Sequence, residues 1–210
     1  MPSFENDFFL KRDPAILAAL RKSTVGIAGA GGLGSNVAVA LARSAVGRLI
    51  IADFDMVEIP DLNRQYYFID QVGKPKVEAL AENLNRISPF TTYETHNIKI
   101  IPENVGSIFG PADILVEAFD VAGQKQMLVE RWLTLFPQKP IIIGSGLAGL
   151  GANERLHQRE LGSLYIIGDE TTECDAGLFP MAPRVAIVAN MQANLALELL
   201  VQIKGRELLP

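Results

Sequence analysis

The chain has 210 residues, 49% hydrophobic and 20% charged, with a formal net charge of −5, the profile of a folded globular protein rather than a disordered one. The acidic balance gives no support to a nucleic-acid or membrane-surface role, no signal-peptide pattern opens the sequence, and no uninterrupted apolar run approaches the ~18 residues of a membrane span. One cysteine, Cys174, and two histidines, His96 and His157, exclude an internal disulfide and leave no zinc cluster of the usual kind, so neither membrane nor zinc is expected and a cytoplasmic setting is.

Residues 1–23 read as a helical segment packed on the rest of the domain. Asp13 is placed to cap a helix that opens on Pro14, and Ile16, Leu17 and Leu20 form its apolar face. Arg12 and Arg21 read first as surface charges. A short run of β-formers, Val25 to Ala28, then enters Gly29, Gly31, Gly32 and Gly34, and helical spacing begins at about Leu33 and continues through Val37, Ala40 and Leu41. This is strand, glycine turn, helix. Gly29 permits the tight turn, Gly31 lets backbone approach a phosphate, and Gly34 lets the helix lie close to the strand. The free N–H groups and the dipole of the helix start favour an anion. A second strand, Arg48–Ala52, ends at Asp53, where an acid can hold ribose hydroxyls. The pattern predicts an adenine-nucleotide site and does not decide between NAD and ATP.

Past Asp53 the residues Asp55, Glu58, Asp61 and Arg64 crowd the carboxyl end of the sheet, where ligands bind in parallel α/β folds. Pro75 suits a helix start, and Val77, Leu80, Leu84 and Ile87 keep helical spacing. Lys76 then falls in the first turn, where a lysine opposes the helix dipole and is more comfortable facing an anion. Thr91–Ile98 alternates like a strand, with His96 a plain strand residue, and Pro102–Phe109 reads as a short helix. Asp113–Phe119 is the next strand and delivers Asp120 to the same edge; Gln124–Leu135 is a helix with Trp132 packing inward, and Pro140–Gly144 another buried strand. The order implies a doubly wound, Rossmann-like, mostly parallel sheet with helices on both faces. Glycines then break the pattern until Leu164–Ile167, a strand, and Asp169–Gly177 reads as an exposed acidic loop. A long helix starts at Pro183 and ends near Gly205, apolar on much of its circumference, as a deeply buried or interface helix would be. No linker or repeat divides residues 1–210.

The glycine turn, Asp53, Arg64, Lys76 and Asp120 place carboxylates and cations on one sheet edge. A dehydrogenase needs a substrate domain and a proton donor, usually supplied by a second domain, and the residues after the sixth strand show no obvious donor. A nucleoside triphosphate fits better: Arg64 and Lys76 would neutralise phosphate charge, Asp53 would hold the ribose and Asp120 a Mg²⁺ ion.

Five segments carry a resemblance: Gly-Ala-Gly-Gly-Leu-Gly-Ser (29–35), Asp-Phe-Asp-Met-Val-Glu (53–58), Leu-Asn-Arg-Gln (62–65), Gly-Lys-Pro-Lys-Val-Glu (73–78) and Glu-Ala-Phe-Asp (117–120). In this order they resemble the ThiF/MoeB/HesA family, relatives of ubiquitin-activating enzymes, and the long helix after Met181-Ala-Pro-Arg184 also fits. The short chain without zinc cysteines looks most like the compact ThiF-type branch. The resemblance implies ATP-dependent adenylylation of the C-terminal Gly-Gly carboxylate of a ThiS-like ubiquitin-fold sulfur carrier, with release of pyrophosphate, in thiamine thiazole synthesis. It assigns the ribose acid to Asp53, the phosphate cations to Arg64 and Lys76, the Mg²⁺-linked acid to Asp120, and further nucleotide contacts to Gly29, Gly31, Gly32, Gly34, Asp55 and Asp61. It also implies a homodimer whose partner lends an N-terminal arginine, for which Arg12 is the candidate. The family usually has Asn where Asp61 stands, and an ionised carboxylate cannot donate to phosphate. Cys174 sits between Glu173 and Asp175, whose charge disfavours the thiolate. Three alternatives stay open: a non-catalytic dimer that docks a carrier, an NAD-binding oxidoreductase, and an adenylating relative that acts on tRNA, which the acidic balance argues against.

Overall fold

A computed structural model describes residues 4–172 and 177–205; Cys174 and its flanking acids lie outside the described residues. Two short helices open the chain, α1 (Phe4–Phe9) and α2 (Pro14–Arg21). Next come β1 (Thr24–Ala28), α3 (Gly32–Arg43), β2 (Arg48–Asp53), α4 (Lys76–Ile87), β3 (Thr92–Asn97), α5 (Pro102–Phe109) and β4 (Ile114–Glu117). The chain ends with α6 (Ala122–Leu135), β5 (Ile141–Gly144), β6 (His157–Leu161), β7 (Leu164–Gly168) and α7 (Ala182–Lys204). The strands form one sheet of seven in the order β3-β2-β1-β4-β5-β7-β6. All neighbours pair in parallel except β6 with β7. The doubly wound architecture expected from the sequence is therefore present.

The central strands are apolar runs because both faces are covered. Val25, Ile27, Leu49, Ile51, Ile114, Val116 and Ile142 face a core shared with α2, α3, α4 and α7. Their alternates Ile50, Leu115, Ile141 and Ile143 face a second core with α5 and α6, where Trp132 is fully buried and donates its indole N–H to the Lys139 carbonyl at 3.0 Å. The helix α7 is long and apolar enough by composition to cross a membrane; one side of it lies against α3, α2, β5 and β7 of its own chain, while Ile187 and Ile203 are exposed.

Three sequence expectations need correction. The N-terminal segment is two helices, not one: Lys11 takes a left-handed φ of +64° between them, and Phe4, Phe8 and Phe9 of α1 gather on the Phe90 ring. The strand β6 is not legible in the sequence because all five of its residues are exposed and show no alternation. Asp169 does not begin an exposed loop; it is buried in an ion pair with Arg184 of α7 at 2.6 Å. Its Oδ1 also accepts the Thr171 and Thr172 N–H groups, each at 2.8 Å. Arg184 further donates to the Gly151 carbonyl, so one buried clamp fixes the start of α7 against the end of β7.

The turn from β1 to α3 depends on two glycines. Gly29 holds φ +101°, and a Cβ on Gly34 would stand 1.9 Å from the Gly29 carbonyl oxygen, closer than any atoms can pack. The helix therefore starts directly on the end of β1.

This packing sets the stability of individual variants. Gly34→Ala should cost at least ~3 kcal/mol in urea unfolding, because backbone has to move, while Gly123→Ala in α6, where a Cβ meets nothing within 4 Å, should gain roughly 0.5–1 kcal/mol. Burial pushes the Asp169 carboxyl up, but hydrogen bonds from Thr172 and Thr171 outweigh it and hold the group at about 2, below the ordinary 3.8. A depressed carboxylate stabilises the fold above its unfolded value and loses that stabilisation as pH falls through the folded one. Asp169→Asn should thus cost about 3 kcal/mol near neutral pH, and about 2 kcal/mol of that difference should fade between about pH 4 and pH 2.

Candidate functional site

The glycine turn, the ends of β2 and β4, and the segment 54–75 meet at the carboxyl edge of the sheet. No side chain caps α3 at Gly31, so its first N–H groups face the site with the positive end of the helix dipole behind them. A Cβ on Gly31 would have only the Gln65 amide within 4 Å, at 3.9 Å. The turn thus presents bare backbone to a ligand.

Asp53 lies at the end of β2 and spans the turn. Its Oδ2 accepts the Ala30 N–H at 2.6 Å and its Oδ1 the Asp55 N–H at 2.8 Å. Burial pushes its carboxyl up, opposed by these two bonds and by Lys76. Arg64 lies over the turn: a Cβ on Gly32 would stand 3.6 Å from its Cγ and its Nε. Its guanidinium donates to the Asn63 side-chain oxygen at 2.9 Å and the Pro60 carbonyl at 3.4 Å, neutral partners, and to no carboxylate among the described residues.

Lys76 opens α4 with its side chain only 8% exposed, its ammonium 3.1 Å from Asp55 and 3.7 Å from Asp61. Burial alone would lower its pKa; Asp53, with Asp55 and Asp61, more than offsets it and raises the value, so the lysine is a cation held among acids. Asp61 does not stand free toward a phosphate as the sequence suggests. Its Oδ2 accepts the Glu58 N–H at 3.0 Å and its Oδ1 the Gln65 amide at 2.7 Å, bracing the 3-10 turn Ile59–Asn63. Asp120 is exposed beyond the end of β4 and makes no hydrogen bond or ion pair with the described residues.

The structure therefore brings together Gly29, Gly31, Gly32, Gly34, Asp53, Asp55, Asp61, Arg64 and Lys76. Asp120 stands at the neighbouring strand end, two residues past Ala118, whose carbonyl crowds Gly29. Arg12 is not brought to the site within this chain. It donates to the Arg43 carbonyl at 3.0 Å, at the opposite end of α3, and lies over the Phe8 and Phe9 rings.

Several residues that shape the site do not stand out in the sequence. Ser35 Oγ donates to the Gly31 carbonyl at 2.7 Å and accepts the Tyr66 N–H at 3.0 Å. Asn36 donates to the Gly32 carbonyl at 2.7 Å and the Arg64 carbonyl at 3.0 Å. Tyr67 donates its buried hydroxyl to the Ala30 carbonyl at 2.6 Å; burial, with Asp53, Asp61 and Asp55 nearby, raises its pKa and keeps it protonated. Glu117 is fully buried at the end of β4. Its Oε1 accepts the Phe119 N–H at 2.7 Å, and its Oε2 pairs with Lys125, which also reaches the Gly144 carbonyl at 2.8 Å. Burial raises the Glu117 pKa against the pull of Lys125. The available signal is an acid closing the apolar run Ile-Leu-Val-Glu with a lysine in the first turn of the next helix.

Comparison with known proteins bears on this arrangement. The chain is 31% identical over 172 residues to the adenylyltransferase and sulfurtransferase MOCS3 of Anopheles gambiae, covering 81% of this chain and 36% of that protein. It is 29% identical over 198 residues to the sulfur carrier protein adenylyltransferase of Thermus thermophilus, covering 88% of this chain and 71% of that protein. The chain thus spans about a third of the first relative and most of the second. Among solved structures, the E. coli tRNA N6-threonylcarbamoyladenosine dehydratase TcdA in complex with AMP superposes with a TM-score of 0.85 at 19% identity, over 97% of this chain and 98% of that one. E. coli MccB with ATP superposes with a TM-score of 0.70 at 21% identity, over 89% of this chain and 58% of that one. At these identities the superpositions speak for the fold alone. The ThiF family pattern itself runs from residue 8 to residue 210, and the chain belongs to the ThiF family.

Proposed function

We propose that the chain uses ATP to adenylate the C-terminal Gly-Gly carboxylate of a small ubiquitin-fold sulfur carrier. The observation that carries this reading is a glycine turn with an uncapped helix start, Arg64 lying over it and Asp53 bound to it, with the Lys76 ammonium beside Asp55 and Asp61 in the field of Asp53. Two cations at that point suit a polyphosphate better than the single bridging pyrophosphate of NAD, which the helix dipole can hold unaided. The name of the Thermus relative supports the carrier as the second substrate, and that of the MOCS3 relative supports adenylyl transfer.

In the reaction a carrier carboxylate oxygen attacks the α-phosphorus of ATP. The bond from that phosphorus to the bridging oxygen breaks, and pyrophosphate leaves with the electron pair. No proton moves in this step, so the chain needs no general base. Its work is to align the two anions and to meet the charge that grows on the leaving oxygens. Asp53 is placed to orient the ribose. Arg64, engaged only by neutral oxygens, is free to turn onto the phosphates; Lys76 has to exchange its carboxylates for them.

The residues present fit a Mg²⁺ ion carried by the nucleotide. Among the described residues no cluster of three acids, histidines or cysteines forms a metal cage, and Mg²⁺ commonly takes one or two carboxylates together with substrate phosphates. Asp120 is the free carboxylate that would hold it, and the ion would neutralise phosphate charge there. A homodimer in which the partner subunit's Arg12 reaches the phosphates belongs to the same reading and requires that arginine to leave the Arg43 carbonyl. The thiamine thiazole pathway is the proposed setting. The tRNA alternative, whose substrate the name of the fold neighbour TcdA also contains, is the second substrate class to test.

ATP–pyrophosphate exchange tests the reading. Exchange should appear with one Gly-Gly-terminated carrier among several offered, and Arg64→Ala and Asp120→Ala should each lower it roughly 100-fold with unfolding curves unchanged. Full exchange in both variants would remove the mechanism. ATP binding without exchange would point to a docking module, exchange stimulated by tRNA and no carrier to the second class, and tight NAD(H) binding that ATP does not displace to an oxidoreductase.

A further inference from the structure

Resting on the nucleotide reading above, the geometry points to a specificity-setting role for Asp61: it makes binding of the polyphosphate conditional on a cation that arrives with the nucleotide. Asp61 is held where it cannot turn away. The Glu58 N–H occupies Oδ2 at 3.0 Å and the Gln65 amide occupies Oδ1 at 2.7 Å. Its side chain is 14% exposed, and its Oδ2 lies 3.7 Å from the Lys76 ammonium. Lys76 therefore meets Asp61 as well as Asp55, at 3.1 Å, and the charge of Asp53.

An ionised carboxylate accepts hydrogen bonds and donates none. Facing Asp61, Gln65 must present its NH₂ group, and its amide oxygen is left buried without a partner. A buried acceptor without a donor costs free energy, and here its cause is visible: Asp61 fixes which way the amide points. Asp61 thus removes one donor from the wall beside Gly31 and occupies one cation, Lys76. Around the glycine turn stand the carboxylates of Asp53, Asp55 and Asp61 against the cations of Lys76 and Arg64. A free triphosphate enters against a surplus of negative charge, and the same nucleotide carrying a divalent cation enters with two negative charges fewer.

The substitution Asp61→Asn separates this role from a purely structural one. Asparagine has the same shape, its oxygen still accepts the Glu58 N–H, and its NH₂ can donate to the Gln65 oxygen once that amide turns over. The brace survives and the charge is lost; the turned amide leaves its NH₂ group in the buried place its oxygen held, so one orphaned polar atom replaces another. Equilibrium binding of ATP and of adenosine to the full chain, each with Mg²⁺ and with EDTA, reads the consequence. In EDTA the wild-type protein should bind ATP no more tightly than adenosine. Asp61→Asn should tighten metal-free ATP roughly tenfold, the worth of a unit charge at this range in a partly screened site, while adenosine binding stays unchanged and MgATP improves less. A variant that changes ATP and adenosine alike, or neither, reduces Asp61 to a turn brace and overturns the proposal. So does a wild-type protein that binds free ATP tenfold more tightly than adenosine, a measurement that needs no variant. Failure of the wild-type protein to bind ATP under either condition would overturn the nucleotide reading itself, a result distinct from those two.

Discussion

The contact between Gly34 and the carbonyl of Gly29 is the constraint on which the site is built. It lets α3 start against the last residue of β1, with no room for a single methyl group between them. The helix is thereby aimed so that its unpaired N–H groups emerge at the carboxyl edge of the sheet, beside the ends of β2 and β4. A side chain at either glycine would push the helix outward and move the bare backbone of the turn away from the sheet edge. The same closeness extends to the next strand, because the Ala118 carbonyl lies within 2.8 Å of where a Gly29 Cβ would be. The loop that carries Asp120 is therefore packed on the turn.

The helix then organises the chain that passes over it. Ser35, Asn36 and Tyr67 tie the carbonyls of Gly31, Gly32 and Ala30 to the segment that carries Arg64. None of the three needs to touch a ligand. Each uses a neutral donor, so the segment is held without adding charge to a site whose electrostatics matter. On the far side, Val185 of α7 approaches Gly32, and the buried pair of Arg184 and Asp169 fixes where α7 begins. Burying such a pair is costly and rarely adds net stability. Its use here is to set a position, with Thr171 and Thr172 satisfying the remaining lone pairs of the acid.

What the sequence discloses and what it withholds divide along physical lines. Strands covered on both faces are apolar throughout, so β1, β2, β4 and β5 are legible, and glycines that carry strain or allow close approach mark the turn. Asp53, Arg64, Lys76 and Asp120 are legible because charged residues follow strand ends or open a helix. The fully exposed strand β6 carries no alternation to detect. Glu117 and Asp169 read as ordinary acids, since burial of a charge depends on a partner, Lys125 or Arg184, that the fold supplies from another element. Asp61 looks like a ligand-facing acid because its local work, accepting the Glu58 N–H and the Gln65 amide, is a matter of turn geometry. Arg12 shows a charge near the N-terminus and nothing of where α2 sets it.

The acids and cations at the sheet edge differ in how far the fold has already engaged them. Glu117 and Asp120 are three positions apart on one strand end, yet the first has both oxygens occupied and is buried, while the second has no partner among the described residues. Arg64 and Lys76 divide in the same way: the arginine touches only neutral oxygens, and the lysine sits between carboxylates. A ligand recruits Asp120 and Arg64 readily, because no ion pair has to break first. To recruit Lys76 it has to displace Asp55 and Asp61, and only a strongly anionic group in the same place can do that. The unpaired residues can make first contact with a nucleotide, and the paired lysine can be released only where phosphate charge accumulates. On the proposed nucleotide reading, that division would place the discrimination of the site at Lys76 and its carboxylates and leave initial capture to the uncapped helix start and Arg64.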